Sequence, residues 1–125
     1  MMADNSPKAD KRLLGTWRSD RGRTVSEWRF SKRLTPLQRR KFLAIFGKLQ
    51  LTYTRTHIRG VLREYRFAQP YELLGTDADT VAIRYHDKQL TGEWCIQHIH
   101  FEGNHYWVAF GRNREWFKRV IKRAT

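Results

Sequence analysis

The chain contains one cysteine, Cys95, in 125 residues. A single thiol excludes an internal disulfide and any zinc site built from four cysteines. Acidic residues are scarce: 12 Asp and Glu stand against 25 Lys and Arg, giving a net charge of +13. That imbalance attracts nucleic acid, anionic membrane surfaces or acidic proteins. It also keeps a small protein soluble, so charge alone selects no partner. No apolar run approaches the roughly 18 residues that mark a membrane-spanning helix. Met1 to Arg12 has no apolar stretch of the kind a secretory signal carries, so a cytoplasmic location is the simplest expectation. Glycine-rich phosphate loops, zinc-finger spacings, RNP-type aromatic strands and G-x-x-G loops are all missing.

Aromatic residues, by contrast, are plentiful: five Trp, five Tyr and seven Phe make up 14% of the chain. Such side chains suit a pleated, half-buried surface, which points to β structure. The length fits one domain with one hydrophobic core. Residues 1–12 are polar and without periodicity, and read as a disordered lead-in.

Pattern begins at Leu13. Leu13 to Ser19 reads as a first strand, ended by the turn residues Asp20, Arg21 and Gly22. Arg23 to Phe30 alternates, with Thr24, Ser26, Trp28 and Phe30 on one face, and predicts a second strand. Leu34 to Gly47 differs: Thr35 can cap a helix, Pro36 suits its first position and Gly47 its end. Lys48 to His57 alternates again, and Gly60 interrupts the pattern. Val61 to Phe67 and Tyr71 to Leu74 read as two further strands, with Pro70 marking a bulge or kink between them. Gly75 to Asp79 is a turn, Thr80 to His86 a strand, and a polar loop runs on through Gly92.

The best-defined unit is the hairpin Glu93 to Gly111, turning at Gly103-Asn104. Its register sets Glu102 opposite His105 and His100 opposite Trp107. One face then carries Trp94, Ile96, His98, His100, Trp107 and Ala109. The other carries Cys95, Gln97, Ile99, Phe101, Tyr106, Val108 and Phe110. Spacing leaves open which face turns inward. Arg114 to Lys122 is the last strand. The expected fold is mainly β: a single antiparallel up-and-down barrel of about eight strands with one helix after the second strand. Closure is the natural solution because it removes exposed edges.

Gly15-Thr16-Trp17 opens the first strand after a leucine pair. This resembles the G-x-W motif that starts the barrel of lipocalins and fatty-acid-binding proteins, the calycin group. The chain is similar, more loosely, to uncharacterised bacterial lipocalin-like domains with a G-T-W-[KR]-S-D opening. The resemblance implies a calycin-like barrel over residues 13–125, with Trp17 plugging one end. It also implies that a basic residue of the last strand, Arg119 or Lys118, packs across that Trp, with Gly15 completing the closure. Fatty-acid-binding proteins place a helical pair after the first strand, whereas the pattern here places one helix after the second. The C-terminal Arg-x-Tyr that holds a fatty-acid carboxylate in that family is missing here.

The leading functional expectation is a barrel that binds a small apolar or anionic ligand. Trp28, Tyr53, Trp94 and Trp107 would line the pocket, His98, His100 and Arg84 would be its polar contacts, and the helix would cap one mouth. The alternative reading of the same Trp residues is packed core, since eight strands leave room for little more than side chains. A second hypothesis is a basic module for nucleic acid or an acidic protein, using Arg39, Arg40 and Lys41 with Lys118, Arg119, Lys122 and Arg123. The bland reading of those runs is a solvated surface. A third is a transition-metal site at His98 and His100, which leave one strand face together, with His86, His105 or Glu102 as third ligand. The bland reading there is an ordinary polar outer face, and no cofactor is otherwise expected. Glu93, Glu102 and Glu115 stand apart and no nucleophile–base pair follows from spacing, so an enzyme is not the expected reading. Cys95 reads as a small strand residue rather than an activated thiolate.

Overall fold

The computed structural model describes residues 9–31, 33–87 and 92–121. Eight antiparallel strands follow one another around a closed barrel: β1 (Gly15–Ser19), β2 (Leu49–Tyr53), β3 (His57–Leu62), β4 (Tyr65–Thr76), β5 (Thr80–His86), β6 (Trp94–Glu102), β7 (His105–Phe110) and β8 (Asn113–Arg119). β8 returns to pair with β1, with Trp17 opposite Arg119 and Ser19 opposite Phe117. Two helices, α1 (Arg21–Glu27) and α2 (Pro36–Leu43), lie between β1 and β2.

The barrel and strand count match expectation, but the helices do not. The predicted second strand is α1. Its cap is Asp20, whose side chain accepts from the Arg23 amide. Thr24 is the one buried residue of α1, so no apolar stripe advertises the helix in the sequence. Contact with β8 holds it instead: the Trp116 amide donates to Thr24 Oγ1 at 2.9 Å and the Arg23 guanidinium lies 3.4 Å above the Trp116 ring. α2 begins as predicted. Thr35 and Gln38 satisfy each other's backbone amides in a capping box, and Pro36 opens the helix.

Two predicted interruptions are absent. Gly60 sits inside β3, directly opposite Phe67 of β4, and the ring lies across it: a Cβ on Gly60 would come within 2.0 Å of Phe67. β4 runs unbroken through Pro70. Its first half pairs with β3 up to His57–Pro70, and its pairing with β5 starts at Tyr71, so Pro70 stands where the strand changes partners. The missing N–H therefore costs little. The irregularity falls later, between Leu73 and Gly75.

The hairpin forms in the predicted register, with Glu102 opposite His105 and His100 opposite Trp107, and Gly103 takes φ 62° at the turn. Val81, Ile83, Ile99, Tyr106 and Val108 are buried, so the Cys95–Phe101 face of β6 turns inward and the Trp94–His100 face turns out. Of the predicted lead-in, residues 1–8 lie outside the described residues. Arg12 pairs with Asp10 at 2.7 Å and donates to the Ala78 and Asp77 carbonyls, so this end of the segment is tied to the barrel. No helix among the described residues is long and apolar enough to cross a membrane.

Candidate ligand cavity

The two ends of the barrel are built differently. At one end Trp17 is 1% exposed and its indole N–H donates to the Leu13 carbonyl at 2.9 Å. The Arg119 guanidinium lies 4.3 Å over the Trp17 ring and donates to the carbonyls of Leu14 and Arg12. Gly15 takes φ +115°, and a Cβ there would meet Arg119 Nη1 at 2.9 Å. Trp17, Arg119 and Gly15 thus fill this end. Of the two basic residues proposed for closure, Arg119 is the one over the ring, while Lys118 is exposed on the outer face.

Towards the other end the interior opens into a cavity of about 450 Å³. Leu49, Leu51, Ile58, Phe67, Val108 and Phe117 form much of its wall. Its mouth lies near Leu62, Tyr65 and Asp87, beside the stretch Tyr65–Gln69 that pairs with β3 and not with β5. The volume falls in the range of small-molecule sites. The helices stand at this open end. Phe110, on the rim of β7, meets Trp28, Phe42 and Phe46 with ring centroids 5.3, 6.0 and 6.1 Å away, and Asn113 clamps the backbone of Arg29 through two hydrogen bonds.

A few polar groups converge on the apolar wall. The hydroxyls of Tyr53 and Tyr106 lie 2.8 Å apart, and burial pushes both phenols well above their ordinary range, so both stay protonated. Glu115 lines the cavity and accepts from Ser19 Oγ at 3.0 Å, while Ser19 Oγ accepts from the Gly47 amide at 3.0 Å. Burial raises the Glu115 carboxyl above its ordinary value, and the Ser19 hydrogen bond only partly offsets this. Gln69, Gln97 and Tyr85 add further hydrogen-bonding groups.

Of the residues predicted to bind ligand, Tyr53 alone lines this cavity. Trp28 belongs to the aromatic cluster beside the helices. Arg84, Trp94, His98, His100 and Trp107 stand on the outer face of β5–β7, where Trp94 is 60% exposed. There Arg84 pairs with Glu72 at 2.8 Å and lies over Trp94. His100 stacks on Trp107 at 3.8 Å, and Arg114 lies over the same Trp. Burial, then His98 and Arg114, lower the His100 pKa. The reason for this placement is desolvation: one cationic and two imidazole groups cost more inside than the aliphatic face they oppose.

No known family, curated protein or solved structure matches the chain.

His98 and His100 share one face as expected, but no third ligand joins them. His86 stacks on Trp94 and donates to the Gly92 carbonyl, His105 pairs with Asp20 at 2.9 Å, and Glu102 pairs with Arg23 at 3.1 Å. Among the described residues no group of three or more His, Cys, Asp or Glu is placed to hold a metal. Of the predicted basic clusters, Arg40 and Lys41 are exposed on α2, Arg39 lies over Phe30, and Lys122 and Arg123 lie outside the described residues. The sequence reading missed Glu115 and Tyr106 as cavity groups. Their signal was present: both fall on the inward parity of their strands once Ile99 and Val108 are placed in the core.

Proposed function

We propose that the protein is a calycin-type binding barrel for a small, mainly apolar ligand. The cavity of about 450 Å³ carries this reading, because a barrel this small has room to fill its interior with side chains and does so at one end only. Two further features support kinship with the calycin group. Arg119 packs across Trp17, and the helical pair follows the first strand, where fatty-acid-binding proteins have theirs. The free thiol of Cys95 suits a reducing compartment such as the cytoplasm. Titration with a neutral apolar fluorophore tests the reading. One-site, saturable binding is expected, and Leu51→Trp, which fills the cavity, should abolish it while the melting curve stays cooperative. Absence of saturable binding, or equal binding by a folded Leu51→Trp protein, would overturn it.

A second reading, a polyanion-binding surface, is favoured by one observation. Arg18 and Lys118 stand directly opposite each other on β1 and β8, both exposed, and like charges so placed repel. A bound phosphate would relieve that repulsion. Affinity for a labelled oligonucleotide should then fall steeply with salt and drop further in Arg18→Glu/Lys118→Glu than in Arg40→Glu/Lys41→Glu, which changes net charge equally. Equal losses would reduce the effect to overall charge.

A further inference from the structure

The ionisable side chains of acidic type that line the cavity contrast with the basic residues that dominate the chain. The protein carries +13 overall. Among the described residues lining the cavity, however, there is no Lys, Arg or His, and the two carboxyl groups are Asp87 near the mouth and the half-buried Glu115 beside Ser19. Arg119, which reaches the interior at the other end, is committed to the plug by two backbone carbonyls and the Trp17 ring, and Arg12, over Phe101, is committed to Asp10 and the Asp77 and Ala78 carbonyls. A carboxylate ligand entering this cavity would find no cation and would face Glu115.

We infer that the ligand is an apolar molecule bearing a protonated amine, and that Glu115 is the residue that selects it. This deepens the ligand-barrel reading and rests on it. The chemistry follows from what surrounds the carboxyl. Among the described residues, Glu115 takes one hydrogen bond, from Ser19, at its Oε2. A carboxylate accepts at both oxygens, so it can take an ammonium N–H as well. A charge-assisted bond to an ammonium is stronger than one to a neutral donor, and more so where apolar walls exclude water. The hydrocarbon body would lie against Leu49, Leu51, Ile58 and Phe67. The Tyr53–Tyr106 hydroxyl pair, already internally bonded, keeps one hydroxyl proton to offer a second polar atom of the ligand.

Ser19 gives this site a link to the helices. Its hydroxyl donates to Glu115 and accepts from the amide of Gly47, in the link between α2 and β2. An ammonium held by Glu115 therefore sits on a carboxylate already tied, through this hydroxyl, to the end of the helical segment.

Displacement of a bound neutral fluorophore by three ligands of one chain length tests the inference: decylamine, decanol and decanoate. Long-range attraction by a positively charged protein alone would rank decanoate first. Selection by Glu115 ranks decylamine first, by about tenfold or more over decanoate at neutral pH. Glu115→Gln should bring the two within about threefold of each other while decanol is unchanged. Ser19→Ala, which leaves the carboxylate in place, should keep decylamine first. Decanoate binding as well as decylamine, or an unchanged ranking in Glu115→Gln, would overturn the role of Glu115 while leaving the binding barrel intact. Failure of the neutral fluorophore to bind at all would overturn both.

Discussion

The plugged end and the open half of this barrel use the same kinds of residue to opposite effect. At the plug, an aromatic ring, a guanidinium and a glycine satisfy one another. Trp17 donates to Leu13, Arg119 donates to Leu14 and Arg12, and Gly15 leaves space for the guanidinium. In the open half, Glu115, Gln97 and Tyr85 border an unfilled space. Glycine again makes room for a larger neighbour, but Gly60 lies under the Phe67 ring that forms part of the cavity wall. The contrast teaches that the closed packing and the open cavity are separated along the barrel axis. One end holds the fold closed and the other leaves polar groups available.

Truncation at each end gives the largest expected difference. Trp17→Ala should cost about 3–5 kcal/mol in chemical denaturation. Tyr65→Ala, at the mouth where the side chain is 46% exposed, should cost about 0.5 kcal/mol. Similar losses at the two positions would erase the distinction. Next in size is Arg119→Lys. A lysine cannot fork to two carbonyls and stacks poorly on a ring, so about 1.5–3 kcal/mol should be lost, read from the urea midpoint. A midpoint like that of the parent would show that the plug needs only the indole.

Tyr53→Phe probes the boundary between the halves. It strands the buried Tyr106 hydroxyl and should cost about 1–2 kcal/mol, whereas removing both hydroxyls should restore part of that loss. A double variant weaker than the sum of the single ones would mean that each hydroxyl has a partner beyond the other. The smallest effect concerns pH. Burial raises the folded-state pKa of Glu115, so between the ordinary carboxylate value and the raised one the folded protein holds a proton that the unfolded chain releases. Its contribution favours folding at low pH and is lost as pH rises from the ordinary carboxylate value through the raised one. Glu115→Gln should flatten thermal stability across that window and raise the melting temperature at neutral pH. A steeper profile would reverse the sign assigned to burial.

Legibility in the sequence followed local chemistry. The bounds of β5, the register of the β6–β7 hairpin and the Thr35 cap of α2 with Pro36 at its first position were all readable, because turn residues, caps and period-two alternation act over a few positions. The pairing of Trp17 with Arg119 was readable only through a family resemblance, since nothing local connects residues so far apart in the chain. α1 was read as a strand because Thr24, Ser26, Trp28 and Phe30 do alternate; its helix depends on Trp116 of β8. The ligand candidates stand mostly on the outer face, because indole rings had suggested a pocket. The cost of burying Arg84, His98 and His100 decides the matter once Val81 and Ile83 of β5 pair with Ile99 and Gln97 of β6.

The contact between Arg119 and Leu14 spans 105 positions of the sequence. Joining β1 to β8 therefore closes a far longer loop than the pairing of consecutive strands does, at an entropic cost that the other strand pairs avoid. Closure should come late in folding, and its rate should carry most of the kinetic penalty of this topology. Once made, the same contact fastens both terminal strands to each other. Neither can fray alone, so hydrogen exchange at Trp17 and at Phe117 should slow together and be lost in one cooperative opening.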